Sequence, residues 1–231
     1  MEYKKILICF DRDGTINYDG DYFLGSQPDW KNKVKIMPGV ISGLKKLQKL
    51  NHTMLAVITN QSGTAIKNFP LLNIKRTKEV GKYIMNILER KGIHFTDYET
   101  CNYISLDYVK THPKYRFNMK MVKNHPDKKP KPGMIKRILK KHKLKSKNAI
   151  IYVVGDRATD VQTALNINGF GILVPTKNRP KEIKKTKKLN SKKTYIAKSF
   201  IDACNFIIKR ENQNKEPHSK LWGIKEKIKS Y

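Results

Sequence analysis

Short apolar runs alternate along this chain with longer stretches in which apolar residues recur every three or four positions. The first kind reads as buried strand and the second as helix with one covered face. Four runs have the unbroken apolar character of central strands: Ile6–Phe10, Met54–Thr59, Ile150–Gly155 and Gly171–Val174. Tyr98–Tyr103 is a fifth candidate with a weaker pattern, and Tyr195-Ile196-Ala197 reads as a last strand. Between them, Pro38-Gly39-Val40 leads into a helix with Ile41, Leu44, Leu47 and Leu50 on one side. Lys75 to Lys91 is a second helix, closed by Gly92. Pro132-Gly133 opens a third, with Ile135, Ile138 and Leu139 inward, and Asp160 to Ile167 is a fourth, ended by Asn168-Gly169. The stripe Phe200, Ile201, Cys204, Ile207 and Ile208 predicts a final helix.

Strand and helix in strict alternation predict an α/β fold: a Rossmann-like, doubly wound, mainly parallel sheet with helices on both faces. Two stretches break the rhythm. Residues 102–131 form a long polar loop with His112, His125 and several prolines, and a segment of that length without periodicity is usually functional or disordered. Residues 177–193 carry nine Lys or Arg and one acidic residue, Glu182, which predicts a solvated basic connection. One domain is therefore expected over 1–210, followed by a basic tail over 211–231, in which Leu221, Trp222 and Ile224 could dock.

Composition narrows the setting. A chain of 231 residues with 39% apolar content can bury one sizeable core. No apolar run approaches the roughly 18–20 residues that span a bilayer. The first strand starts at Ile6, so no signal peptide is expected ahead of it. Three widely spaced cysteines, Cys9, Cys101 and Cys204, argue against a disulfide framework and for a reducing, cytoplasmic setting. The charge is unusual: 49 Lys plus Arg against 19 Asp plus Glu give +30. Such a field concentrates anions of any size, from a phosphorylated metabolite to a nucleic acid, although lysines that merely solvate the surface would give the same count. No sequence feature fixes the oligomeric state.

The chemistry gathers where the predicted strands end, which is where open α/β sheets bind ligands. Asp11 and Asp13 directly follow the first strand, on either side of Arg12 and ahead of Gly14. Two carboxylates at i and i+2 can face one space, one attacking phosphorus while the other protonates the departing oxygen. Alone, an Asp-x-Asp could equally be a turn that ends a strand. Thr59-Asn60-Gln61-Ser62-Gly63 ends the second strand with a hydroxyl, amides and small residues suited to phosphate oxygens. Lys128-Lys129-Pro130-Lys131-Pro132-Gly133 precedes a helix and offers ammonium groups on an extended segment. Gly155-Asp156-Arg157-Ala158-Thr159-Asp160 ends another central strand, and Asp156 beside Asp11 makes an oxygen-rich pocket suited to Mg²⁺. Asp160 reads as a helix cap or a supporting group behind the ligands.

In this order and spacing, these segments resemble the haloacid dehalogenase superfamily of phosphatases, and within it the small capless histidinol-phosphate and heptose-bisphosphate phosphatases. The resemblance covers roughly residues 4–175 and extends to the closing strand and helix near 210. It implies that Asp11 forms an aspartyl-phosphate and that Asp13 protonates the leaving oxygen and then activates water. It implies Mg²⁺ held by Asp11, the Asp13 carbonyl and Asp156, and phosphoryl oxygens bound by Thr59 and Lys129 with Asn60 close by. Thr15 and Asp160 are expected to support this set. Arg12 matches the branch as well, but no role follows for it.

Members of the branch commonly carry a zinc loop with Cys-x-His and Cys-x-Cys. Here Tyr103 stands at the His position after Cys101, and His125 and Asp127 stand where cysteines are expected. A site rebuilt from Cys101, His112, His125 and Asp127 is chemically conceivable, but no ligand pair has regular spacing, and zinc is not expected. Lys128 also replaces an expected arginine. The expected substrate is a small phosphorylated metabolite of the histidinol phosphate or sugar bisphosphate type. The alternative is the 3′-phosphate of a DNA or RNA end, which the charge and the Lys-rich loop favour.

Overall fold

A computed structural model describes residues 4–20 and 23–213. Six strands form one all-parallel sheet: β1 (Lys5–Phe10), β2 (Thr53–Asn60), β3 (Asp97–Cys101), β4 (Ala149–Gly155), β5 (Phe170–Leu173) and β6 (Thr194–Ile196). Their order is β3-β2-β1-β4-β5-β6. Ile8 sits opposite Leu55 on one side and Tyr152 on the other, so β1 is central. The chain winds outward from β1 to β3, then returns beyond β1 and winds outward again from β4 to β6. The switch falls between β1 and β4, and there the first turns of the two halves diverge and leave a crevice at the carboxyl edge.

Alternation within the central strands feeds two cores. Ile6, Ile8 and Phe10 point with Leu55, Val57, Tyr152 and Val154 into one, and Leu7 and Cys9 point with Ala56, Ile58, Ile151 and Val153 into the other. Helices α1 (Val40–Leu47), α2 (Ile74–Glu89) and α7 (Phe200–Gln213) cover the first face through Leu44, Leu47, Ile84, Leu88, Phe200 and Ile207. Helices α4 (Gly133–Lys141) and α5 (Ala158–Leu165) cover the second through Met134, Ile135, Ile138, Leu139 and Ala164. Each fully enclosed Leu or Ile contributes on the order of 1.5–3 kcal/mol, so both faces must be covered for the sheet to persist. The Asn73 side chain caps α2 by accepting from the Arg76 N–H at 2.9 Å.

Three expectations change. The weak strand candidate at Tyr98 is a real edge strand, shifted to Asp97–Cys101; its partial burial explains the broken apolar pattern. The segment 177–193 is more than a connection, because Lys181–Lys188 forms a helix, α6, that buries Thr186 and half-buries Ile183. The loop 102–131 contains a helix, α3 (Leu106–Thr111), capped by Ser105, and short bridges tie it down at Ile66–Phe117 and Ile104–Val122. No separate cap domain forms among the described residues.

The expected tail boundary at 211 also moves: α7 runs to Gln213, and Glu211 is buried with its carboxylate accepting from the Tyr152 hydroxyl at 2.5 Å. Leu221, Trp222 and Ile224 lie outside the described residues. No described helix is long and apolar enough to cross a membrane.

Candidate active site

The sheet order brings the predicted segments together, since β2, β1 and β4 are neighbours and all end at the same edge. The Asp11 N–H donates to the Val154 carbonyl at 2.9 Å, continuing the β1–β4 ladder one residue into the crevice. Asp11, Asp13, Thr59, Asn60, Lys129 and Asp160 all line one cavity of about 360 Å³. Asp156 is fully buried behind them.

Lys129 is the hub on the β2 side. Its ammonium lies 2.5 Å from Asp11 Oδ1 and 2.6 Å from Asp160 Oδ1, and it donates to the Ile58 carbonyl at 3.0 Å. Burial works against a charged lysine, but the two carboxylates outweigh it and hold Lys129 protonated. Asn60 is spent on this lysine. Its Oδ1 accepts from the Lys129 N–H at 3.1 Å and its Nδ2 donates to the Lys129 carbonyl at 3.3 Å, so it fixes the backbone that carries the ammonium.

Asp13 is held differently. Arg12 Nε and Nη2 donate to its two oxygens at 3.0 and 2.7 Å, Gln61 Nε2 donates to Oδ2 at 2.7 Å, and Asn17 Nδ2 donates to Oδ1 at 2.9 Å. Burial pushes this carboxyl up, but Arg12 and the amide donors prevail and hold it below the usual range. Of the two aspartates Asp13 is the more open, with 23% of its side chain exposed against 9% for Asp11. Arg12 itself is buried and also donates to the Tyr98 hydroxyl at 3.1 Å and to Gln61 Oε1 at 2.8 Å. Gln61 further donates to Thr59 Oγ1 at 2.8 Å, which leaves the Thr59 hydroxyl proton unspent by that contact.

A third group forms the floor. One oxygen each of Asp11, Asp156 and Asp160 lie within 4.8 Å of one another, the one such grouping of three among the described residues. Burial raises Asp11 to about 6, against the pull of Lys129. Burial and then the neighbouring Asp11 and Asp160 carboxylates raise Asp156 to about 8, against the pull of Arg179. Asp156 Oδ1 is buried without a hydrogen-bond partner, while Oδ2 accepts from Arg179. Gly14, at φ +88°, passes so close that a Cβ there would lie 2.4 Å from Asp156 Oδ2. Hard oxygen donors, an orphaned carboxylate oxygen and a backbone stripped of side chain fit a small divalent cation such as Mg²⁺. Asp160 also accepts from the Arg157 N–H at 3.0 Å and so caps α5. The Thr15 hydroxyl is buried at the same turn without a partner.

Sequence reasoning missed the residues that brace this set. Arg12 and Gln61 lie inside the segments it named, but only the structure shows that both grip Asp13. Arg179 pairs with Asp156 and Asp19, and Asp19 lines the cavity; both come from loops without any pattern. Of the four residues of the conceivable second metal site, His125 and Asp127 face each other, Nδ1 to Oδ2 at 3.4 Å, but no three of them gather among the described residues. Cys101 Sγ donates to the Tyr103 carbonyl, His112 stacks on Tyr108, His125 stacks on Tyr103, and Asp127 pairs with Arg137 at 2.5 Å.

The HAD-hydrolase-like family model matches residues 127–203. The histidine biosynthesis bifunctional protein HisB of Buchnera aphidicola subsp. Schizaphis graminum is 29% identical over 227 residues, 95% of this chain and 52% of that protein. The chain thus spans about half the length of that relative. The D-glycero-alpha-D-manno-heptose-1,7-bisphosphate 7-phosphatase of Photorhabdus laumondii is 30% identical over 162 residues, 70% of this chain and 78% of that protein. Among solved structures, the D,D-heptose 1,7-bisphosphate phosphatase of B. bronchiseptica, complexed with magnesium and phosphate, superposes with a TM-score of 0.66 at 20% identity, covering 89% of this chain and 99% of that one.

Proposed function

The chain belongs to the haloacid dehalogenase-like phosphatases, and from that premise we propose that it hydrolyses phosphomonoesters through a phosphorylated Asp11 with the help of Mg²⁺. The observation that carries this reading is the division of labour between two adjacent aspartates: Asp11 faces Lys129 and the carboxylate floor, while Asp13 faces the open cavity.

Lys129 holds Asp11 Oδ1 and would cancel charge on the phosphoryl group as it transfers, with the Thr59 hydroxyl as a further donor. Asp11 attacks phosphorus, the bond to the ester oxygen breaks, and that oxygen takes a proton from Asp13. Water then attacks the phosphoryl group on Asp11, giving its proton to Asp13 and freeing phosphate. Because Asp13 is held ionised by Arg12, Asn17 and Gln61, it is prepared for the base half of the cycle. Its acid half requires that a proton arrive with the incoming phosphate. A bound Mg²⁺ would neutralise charge among Asp11, Asp156 and the substrate oxygens, held by those carboxylates and the Asp13 carbonyl.

The substrate expected from the relatives is a small phosphorylated metabolite of the histidinol phosphate or sugar bisphosphate type. The test is phosphate release from histidinol phosphate, heptose bisphosphate and an aryl phosphate, with and without Mg²⁺, in the native chain and in Asp11→Asn. Metal-independent turnover, or turnover that survives Asp11→Asn, would sink the reading. A second reading, the terminal phosphate of a nucleic acid, is favoured by the basic, aromatic wall of the cavity mouth.

A further inference from the structure

The inserted segment carries a group of rings that neither core uses. Phe23 and Phe69 lie 5.1 Å apart between centroids, and Tyr115 joins them at 6.3 and 5.7 Å. Phe117 lies 6.3 Å from Tyr115 and 6.2 Å from Tyr108, and His112 stacks on Tyr108 at 4.0 Å. All are half-buried. None of the Phe and Tyr rings is among the described residues packed against either core cluster. The group begins in the cavity, where Phe23 and Tyr108 share the wall with Asp11 and Lys129, and continues along the segment to rings that do not line it.

Cations are interleaved with these rings. Lys114 Nζ lies 5.1 Å over Tyr115 and Lys128 Nζ lies 5.4 Å over Tyr108. Lys110, Lys114, Arg116 and Lys120 are exposed. Between 106 and 131 the sequence has eight Lys or Arg and two Asp, and one of those, Asp127, is already paired with Arg137. A solvated basic loop needs no aromatic residues, and a small structural cluster needs no row of cations beside it. Half-buried rings next to spaced cations fit a ligand that repeats both features, flat bases on a phosphate backbone.

We propose that residues 106–131, with Phe23 and Phe69, form a platform for single-stranded nucleic acid, and that a terminal phosphate of the bound strand reaches Asp11 through the cavity. Strand binding stands on the rings and cations alone; entry of the terminal phosphate rests on the phosphatase reading.

Fluorescence anisotropy on the full chain tests it, with a labelled single-stranded oligonucleotide carrying or lacking a 3′-phosphate and a duplex of the same length, between about 50 and 200 mM salt. The single strand is expected to bind more tightly than the duplex, and Tyr115→Ala to weaken it about tenfold, as loss of one stacked base would. Lys114→Glu with Arg116→Glu, both exposed and outside the catalytic set, is expected to lower the salt slope by about 1.4, two contacts' worth, while aryl phosphate hydrolysis is unchanged. A duplex bound as tightly as the single strand, with both variants silent, would overturn the platform and leave general attraction to a +30 chain. Tight binding without release of the 3′-phosphate would overturn its connection to Asp11. Absence of aryl phosphate hydrolysis would instead sink the phosphatase reading and leave the binding result standing.

Discussion

The Asn60 side chain holds the Lys129 backbone at both ends, accepting from its N–H at 3.1 Å and donating to its carbonyl at 3.3 Å. An amide at the end of β2 thereby fixes an ammonium that arrives from a different part of the chain. Asn60→Ala removes both bonds and frees the Lys129 segment without touching Asp11. Turnover is expected to fall about tenfold to a hundredfold, the usual cost of misplacing a charged group by about an ångström. Lys129→Ala should cost more, since it also leaves Asp11 and Asp160 facing each other without a cation. Steady-state phosphate release and a thermal melt of each variant check this; an Asn60→Ala enzyme with native turnover would show that Lys129 needs no such support.

Asp156 ties stability to pH. In the folded, metal-free chain its carboxyl holds a proton up to about 8, whereas the ordinary value is 3.8, because it is buried and faces Asp11 and Asp160. The folded state therefore binds the proton more tightly than the unfolded one. This contribution is complete below the unfolded value and is lost as pH rises through the folded one. With metal chelated, melting temperature should drop as pH climbs between about 4 and 8. Saturating Mg²⁺ should flatten that drop, and Asp156→Asn should remove both the drop and the Mg²⁺ effect. A chelated protein whose melting temperature ignores pH over that range would contradict the crowding of carboxylates described above.

Gly14 turns at φ +88° against Asp156, where a Cβ would meet Oδ2 at 2.4 Å and the Asp156 carboxyl carbon at 2.8 Å. Gly14→Ala must therefore push the Asp156 carboxylate away and also strain a left-handed backbone by about 1 kcal/mol. The stabilisation that Mg²⁺ gives in a thermal melt should fall at least tenfold in apparent affinity. The metal-free melt should fall as well, by the cost of the backbone strain, about 1 kcal/mol. Equal Mg²⁺ response in native and variant chains would mean that the cation sits elsewhere.

Much of this arrangement can be read before any coordinate is seen, and the reason is local. Central strands such as Ile6–Phe10 are buried on both faces, so their apolar character is unbroken. Residues at their ends fall at one edge whenever the sheet is parallel, which brings Asp11, Thr59 and Asp156 together without knowledge of the loops. The edge strand Asp97–Cys101 is harder to see because three of its five residues are only half-buried. Arg179 and Asp19 cannot be found this way at all. They come from unpatterned loops 160 residues apart and meet only in the folded chain. Asn60 shows a subtler gap: an amide in a segment suited to phosphate oxygens suggests a donor to phosphate, and only the fold reveals that both its ends are taken by Lys129.

The last helix is fixed by a polar contact inside an apolar face. Tyr152 stands at the centre of β4, fully buried, and its hydroxyl donates to Glu211 at 2.5 Å. Burial, then the neighbouring carboxylate, hold the Tyr152 phenol above its usual range. Glu211→Ala leaves a buried hydroxyl without its acceptor. The expected loss is on the order of 1–3 kcal/mol, the desolvation penalty of a stranded polar group. Tyr152→Phe with Glu211→Ala removes both partners and should recover part of it, because no buried hydroxyl is then left unpaired. Urea unfolding of the native chain, the single variants and the double variant measures the coupling. A coupling energy near zero would show that α7 is held by Phe200, Cys204 and Ile207 alone, without help from the bond to the sheet.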